Sequence, residues 1–158
     1  MTIELSAAQT HSASRVILAS PRTLFRAFVD PEMMASWRAP DGMSATIDAF
    51  DPRVGGGYII TLTYLERPPG SGKTTTDSDI VHVEFAELAA EERVVELVRF
   101  ESDDPAFAGE MRLTTCFTPV ADGTRVTMTA EQVPSGIGKE KHEASIAASL
   151  RELALLAE

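Results

Sequence analysis

The chain has a single cysteine, Cys116, in 158 residues, so no disulfide can close within it. A lone thiol with no histidine beside it reads as a small apolar filler rather than a nucleophile. Basic side chains are also scarce, 14 against 24 acidic ones, for a formal net charge of −10. That balance argues against nucleic acid and against anionic membrane surfaces, since both select basic patches. No apolar run approaches the length of a membrane span. Met1-Thr2-Ile3-Glu4-Leu5 has neither the basic start nor the apolar stretch of a signal peptide. The three histidines, His11, His82 and His142, are too far apart in sequence to suggest metal-ligand spacing. These absences predict a soluble, cytoplasmic protein with no metal, no cofactor, no nucleic acid partner and no membrane partner.

What is present is an ordinary globular composition, 44% hydrophobic and 24% charged. Its length suits one domain with a real core. The strongest punctuation is Phe50-Asp51-Pro52-Arg53-Val54-Gly55-Gly56-Gly57-Tyr58. Pro52 pre-sets a turn, and three consecutive glycines allow backbone conformations closed to other residues. Before this corner the chain reads as helical, and after it as a meander of strands.

Residues 1–12 are mixed and polar, which predicts a flexible arm ahead of a single domain over 13–158. Arg15-Val16-Ile17-Leu18 reads as a first strand. Ser20-Pro21 and Asp30-Pro31 are each an N-cap followed by proline at the first helical position. They predict two short tandem helices carrying Leu24, Phe25 and Phe28, then Met33, Met34 and Trp37. Residues 43–49 read as a strand, and period-two alternation predicts four more through Tyr58–Tyr64, Val81–Phe85, Val94–Phe100 and Met111–Phe117. Asp122-Gly123 closes a last hairpin onto Val126, Met128 and Ala130. After Pro134-Ser135-Gly136 the period turns helical. His142, Ile146, Leu150 and Leu153 share one stripe, widened by alanines at 144, 147 and 148. A helix of about 19 residues would run about 28 Å, enough to cross a sheet. The order predicts an α+β helix-grip fold, a curved antiparallel sheet wrapped around the long C-terminal helix.

This order resembles the START-like (SRPBCC, or Bet v 1-like) superfamily. Pro31-Glu32 leading to Trp37, the Asp51-Pro52-Arg53-Val54-Gly55-Gly56 corner followed by Tyr58, and Asp122-Gly123-Thr124-Arg125-Val126-Thr127 carry the resemblance. Within the superfamily the chain is most similar to the branch named after the activator of heat-shock protein 90 ATPase, over roughly Ser14 to Leu156. Two positions depart from that branch. Arg38 follows Trp37 where a second aromatic is common, and Glu140-Lys141-His142 stands where a Gly-Trp pair is common.

The resemblance implies a pocket between sheet and helix that holds a small apolar molecule. Taken singly, Phe28, Trp37, Tyr58, Phe85, Phe100 and Met111 read as core. Together with His142, Ile146 and Leu150, and with small alanines opposite a concave sheet, they form the expected ligand-binding set. The leading expectation is therefore a noncatalytic ligand-binding module, monomer or homodimer. One alternative is a co-chaperone-type protein that contacts a chaperone ATPase through its surface. Another is a cyclase- or aromatase-like enzyme, which would need His142, Tyr58 or Tyr64 set against a substrate. No catalytic set is legible. Gly70-Ser71-Gly72-Lys73-Thr74 resembles the tail of a phosphate-binding loop, but Arg67 occupies the position of its first glycine, and the stretch reads as a hairpin loop. The acidic pairs Asp77 and Asp79, Glu91 and Glu92, and Asp103 and Asp104 read as solvated turns.

Overall fold

Two Xaa-Pro steps build the first helices of the computed structural model, which describes residues 9–39, 42–65 and 78–158. Ser20 Oγ accepts the Thr23 amide at 3.1 Å and starts helix α1, Pro21–Val29. Asp30 Oδ1 accepts the Met33 amide at 3.0 Å and starts helix α2, Pro31–Trp37. Both prolines sit where the missing amide costs no hydrogen bond. The resulting bracket folds back on itself: Trp37 Nε1 donates to the Ala27 carbonyl at 2.9 Å, and the Phe28 and Trp37 rings lie 4.8 Å apart.

Among the described residues seven strands form one antiparallel sheet. They are β1 (Thr10–Ile17), β2 (Met43–Asp48), β3 (Gly57–Tyr64), β4 (Ser78–Ala89), β5 (Arg93–Phe100), β6 (Met111–Val120) and β7 (Gly123–Glu131). The order across the sheet is β1-β7-β6-β5-β4-β3-β2, so every neighbour except β1 and β7 is joined by a sequential connection. A single turn of 3-10 helix, Pro105–Phe107, follows the Asp103-Asp104 turn. Helix α3, Lys139–Ala157, packs on the concave face of the curled sheet. This is the helix-grip fold. No described helix is long and apolar enough to cross a membrane.

The alternation in the sequence gives the inward face correctly. Val81, Val83, Phe85, Met111, Phe117, Val126 and Met128 are all buried. The glycine corner turns β2 into β3. Gly55 has φ +88°, and a Cβ on Gly57 would stand 1.9 Å from the Val83 carbonyl oxygen. Gly55 N donates to Phe85 O, and Phe85 N donates to Gly56 O, each at 2.9 Å, which ties the corner to β4 beside its bulge at Phe85–Glu87.

Three readings of the sequence need correction. β1 begins at Thr10, taking in three residues of the expected arm, because its backbone pairs with β7 from Thr10↔Glu131 onward. Its side chains are mostly small and polar, so no hydrophobic signal marks it. Asp79 is no solvated turn residue: it lies inside β4 on the inward face and is 2% exposed. On α3 the alanines at 144 and 147 are exposed, and the small inward residues are Ser145, Ala148 and Ser149. The Gly70–Thr74 loop and Asp77 lie outside the described residues.

Candidate functional site

A cavity of about 620 Å³ lies between the inner face of the sheet and the N-terminal half of α3. Ile60, Leu62, Val81, Val98, Phe100 and Met111 form its sheet wall. Ile146 closes the helix side, with Ser145 and Ser149 leaving room beside it. Its mouth runs from Phe107 past Gly136-Ile137-Gly138 to Lys141 and His142. A smaller hollow of about 380 Å³ at the glycine corner is lined partly by exposed Glu84, Arg99 and Glu110.

The floor of the cavity carries charge. Glu96 stands on the inward face of β5 between Val94 and Val98, and is 0% exposed. Arg38, directly after α2, reaches it with Nη2 to Oε1 at 2.8 Å and Nη1 to Oε2 at 3.3 Å. Tyr58 of β3 donates its hydroxyl to Glu96 Oε2 in a short hydrogen bond. The guanidinium lies over Trp37, 5.1 Å from the ring centre, and its Nη1 also reaches Met34 Sδ at 3.5 Å. A buried ion pair persists only when its charges are matched and hydrogen-bonded, as here. Burial alone would pull the Arg38 pKa down, but the Glu96 carboxylate outweighs it and holds the guanidinium charged. Burial first, then Glu96, pushes the Tyr58 phenol well above its ordinary value, against the pull of Arg38. Arg38 and Tyr58 thus present a cation and a neutral phenol to the cavity, with the Glu96 anion behind them. Tyr64 and the buried Asp79 add a second polar point on the same wall, Oη to Oδ2 at 3.5 Å.

At the mouth the structure joins two histidines that are 131 positions apart. The Nδ1 atoms of His11 and His142 lie 2.7 Å apart. His11 Nε2 faces Gln9 Oε1 at 3.1 Å, and an amide oxygen only accepts. The network therefore assigns the proton of a neutral His11 to Nε2, so that its Nδ1 accepts from His142 Nδ1–H. His11 is 0% exposed. Burial, and then the Lys139 cation, lower its pKa, with Glu143 opposing them. The same junction is clipped by Ser12 N to Glu143 Oε2 at 2.9 Å and by Lys139 Nζ to Thr10 O at 3.2 Å.

Of the nine residues expected to bind ligand, Tyr58, Phe100, Met111, His142 and Ile146 line the cavity. Phe28, Trp37, Phe85 and Leu150 do not. They fill the solid core behind it, none more than 1% exposed. Trp37 backs the site through Arg38, and Phe85 through Tyr58. Sequence reading missed Arg38, Asp79 and Ser149 as wall residues, and Glu96 as the carboxylate that holds Arg38 from behind the wall. Two of them carried a signal, because an acidic residue at a period-two position of an apolar strand must face inward. Cys116 lies off the inner face and is half-buried. Among the described residues no cluster of side chains could hold a metal ion.

Comparison with known proteins places this architecture. No curated protein matches the chain. A solved Chromobacterium violaceum protein is 27% identical, with a TM-score of 0.81, over 95% of this chain and 98% of its own. A Rhizobium loti protein is also 27% identical, with a TM-score of 0.71, over 94% of this chain and 96% of its own. An Arthrobacter aurescens protein at 15% identity shares the fold, with a TM-score of 0.77, over 94% and 85% of the two chains. The family described as Activator of Hsp90 ATPase homolog 1-like protein matches residues 18–158, and with its helix-grip architecture the chain belongs to that family.

Proposed function

We propose that this protein binds a small, largely apolar molecule in the cavity between the sheet and α3. The observation that supports this most is the cavity itself, about 620 Å³, with an aliphatic and aromatic sheet wall and polar groups at its floor and mouth, Arg38, Tyr58, Lys141 and His142 among them. Small-molecule sites are concave, mostly apolar and oriented by a few fixed polar groups, within roughly 300–1,000 Å³. A core meant only for stability would fill such a space, since voids cost stability. Tyr58, Phe100, Met111, His142 and Ile146 are the contacts proposed for the ligand, and Phe28, Trp37, Phe85 and Leu150 are the rigid backing. Native mass spectrometry of the purified protein should find a bound small molecule, or thermal-shift screening should find apolar compounds whose stabilisation grows with concentration as linkage requires. No bound mass and no shift across a broad apolar panel would sink the idea.

A second reading follows from the family description, which names activation of the Hsp90 ATPase. A protein with a formal charge of −10 would meet such a partner through its surface. Association with a chaperone ATPase should then weaken with salt and respond to charge reversal on the outer sheet face. It should not respond to substitutions inside the cavity.

A further inference from the structure

The floor of the cavity states what kind of head group the ligand carries. A guanidinium has five N–H donors in a fixed plane. Arg38 commits its Nη1 and one Nη2 hydrogen to Glu96 and Met34. Its Nε–H and second Nη2–H, side by side on the adjacent edge, have no partner among the described residues. Thr115 Oγ1 is the one fully sealed polar side-chain atom left unpartnered among those residues, so Arg38 Nε is not sealed, and Arg38 is one of the residues that line the cavity. The position of this edge is fixed by the Trp37 ring and by the bidentate bond to Glu96.

Charge then selects the acceptor. The Arg38 cation is already matched by the Glu96 anion, and Tyr58 spends its hydroxyl proton on the same carboxylate. An anionic ligand would bring a second carboxylate to a guanidinium that is already neutralised, in a desolvated site where an uncompensated charge is costly. A neutral oxygen acceptor escapes that cost and still gains a hydrogen bond from a charged donor, the stronger kind. Resting on the proposed small-molecule pocket, we infer that the cavity is built for an uncharged, apolar molecule bearing a carbonyl oxygen, as in a ketone, ester or lactone, which accepts from the Nε–Nη2 edge of Arg38.

Three probes of one shape test this by calorimetry on the full chain at neutral pH: 2-acetonaphthone, 2-naphthoate and 2-ethylnaphthalene. The ketone should bind at least about tenfold tighter than the hydrocarbon, the return for one hydrogen bond to a charged donor. The naphthoate should bind more weakly than the ketone. Arg38→Lys keeps a cation for Glu96 but removes the planar edge, and should cut the ketone preference to about twofold or less. R38M/E96L removes both charges together and should bind ketone and hydrocarbon alike. Naphthoate binding as tightly as the ketone, or an undiminished ketone preference in Arg38→Lys, would overturn the head-group assignment while leaving the pocket standing. Equal binding of ketone and hydrocarbon to the unmodified protein would do the same. No binding of any probe would count against the pocket itself, and the head-group inference would fall with it.

Discussion

The interior has two halves that began from the same kind of sequence and ended differently. Behind α2, Phe28 packs edge to face on Phe117 and tilted against Trp37, with ring centres 5.6 and 4.8 Å apart, and all three side chains are buried. Toward the N-terminal half of α3, Tyr58, Phe100 and Met111 face an opening of about 620 Å³. Both halves are aromatic and aliphatic, so composition does not separate them. Their difference lies in what stands opposite. The bracket of α1 and α2 puts large side chains against the sheet, whereas the start of α3 puts Ser145 and Ser149 there. The Arg38–Glu96 pair marks the boundary between the halves.

Substitutions on either side of that boundary should behave unequally. Phe28→Ala, in the solid half, should cost roughly 3–5 kcal/mol in denaturant unfolding, the price of a large cavity in a close-packed core. A loss near 1 kcal/mol would mean that half is loose too. At the boundary, Arg38→Met strands the Glu96 carboxylate and should cost about 3 kcal/mol, with R38M/E96L recovering most of it. The lower end of the usual range applies because Tyr58 keeps its hydrogen bond to the carboxylate. A double variant as unstable as the single one would show that the pair contributes packing rather than charge. Met111→Ala, on the cavity wall, should cost about 2 kcal/mol, the low end for a buried methionine, since its neighbours already face open space. Equal losses for Met111→Ala and Phe28→Ala would erase the distinction between the halves.

The smallest effect should be the pH dependence at the mouth. Folding lowers the His11 pKa, so below its ordinary value of 6.5 the unfolded chain takes up a proton that the folded chain refuses. Stability is therefore full above that pH and is lost as pH falls toward the lower folded value. Protonated His11 would also present a second Nδ1–H to His142. Unfolding midpoints measured between neutral and mildly acidic pH should fall for the natural chain and fall less for His11→Gln. Parallel curves would place the titration elsewhere.

The sequence showed the frame of the site more clearly than its contents. Ser20-Pro21 and Asp30-Pro31 announced the two helices, and both caps are made as read. Alternation placed the sheet's apolar face, and the period change after Gly136 placed α3. These signals are local, set by caps, turns and periodicity within a few residues. β1 was half hidden because backbone pairing to a distant strand, rather than apolar side chains, holds Thr10–Ser12. Glu96 was visible as a charge at an inward position, yet nothing nearby in sequence named its partner.

The amino-acid sequence by itself determined the element order, the antiparallel meander, the covering helix and the acidic surface charge. Only the tertiary structure decided which aromatics became solid core and which became cavity wall. It alone brought Arg38 to Glu96 across 58 positions and His11 to His142 across 131. The reason is physical: a cap or a strand face is fixed by neighbours in the chain, whereas a cavity and a buried ion pair are fixed by what distant elements leave unfilled and uncompensated when they meet.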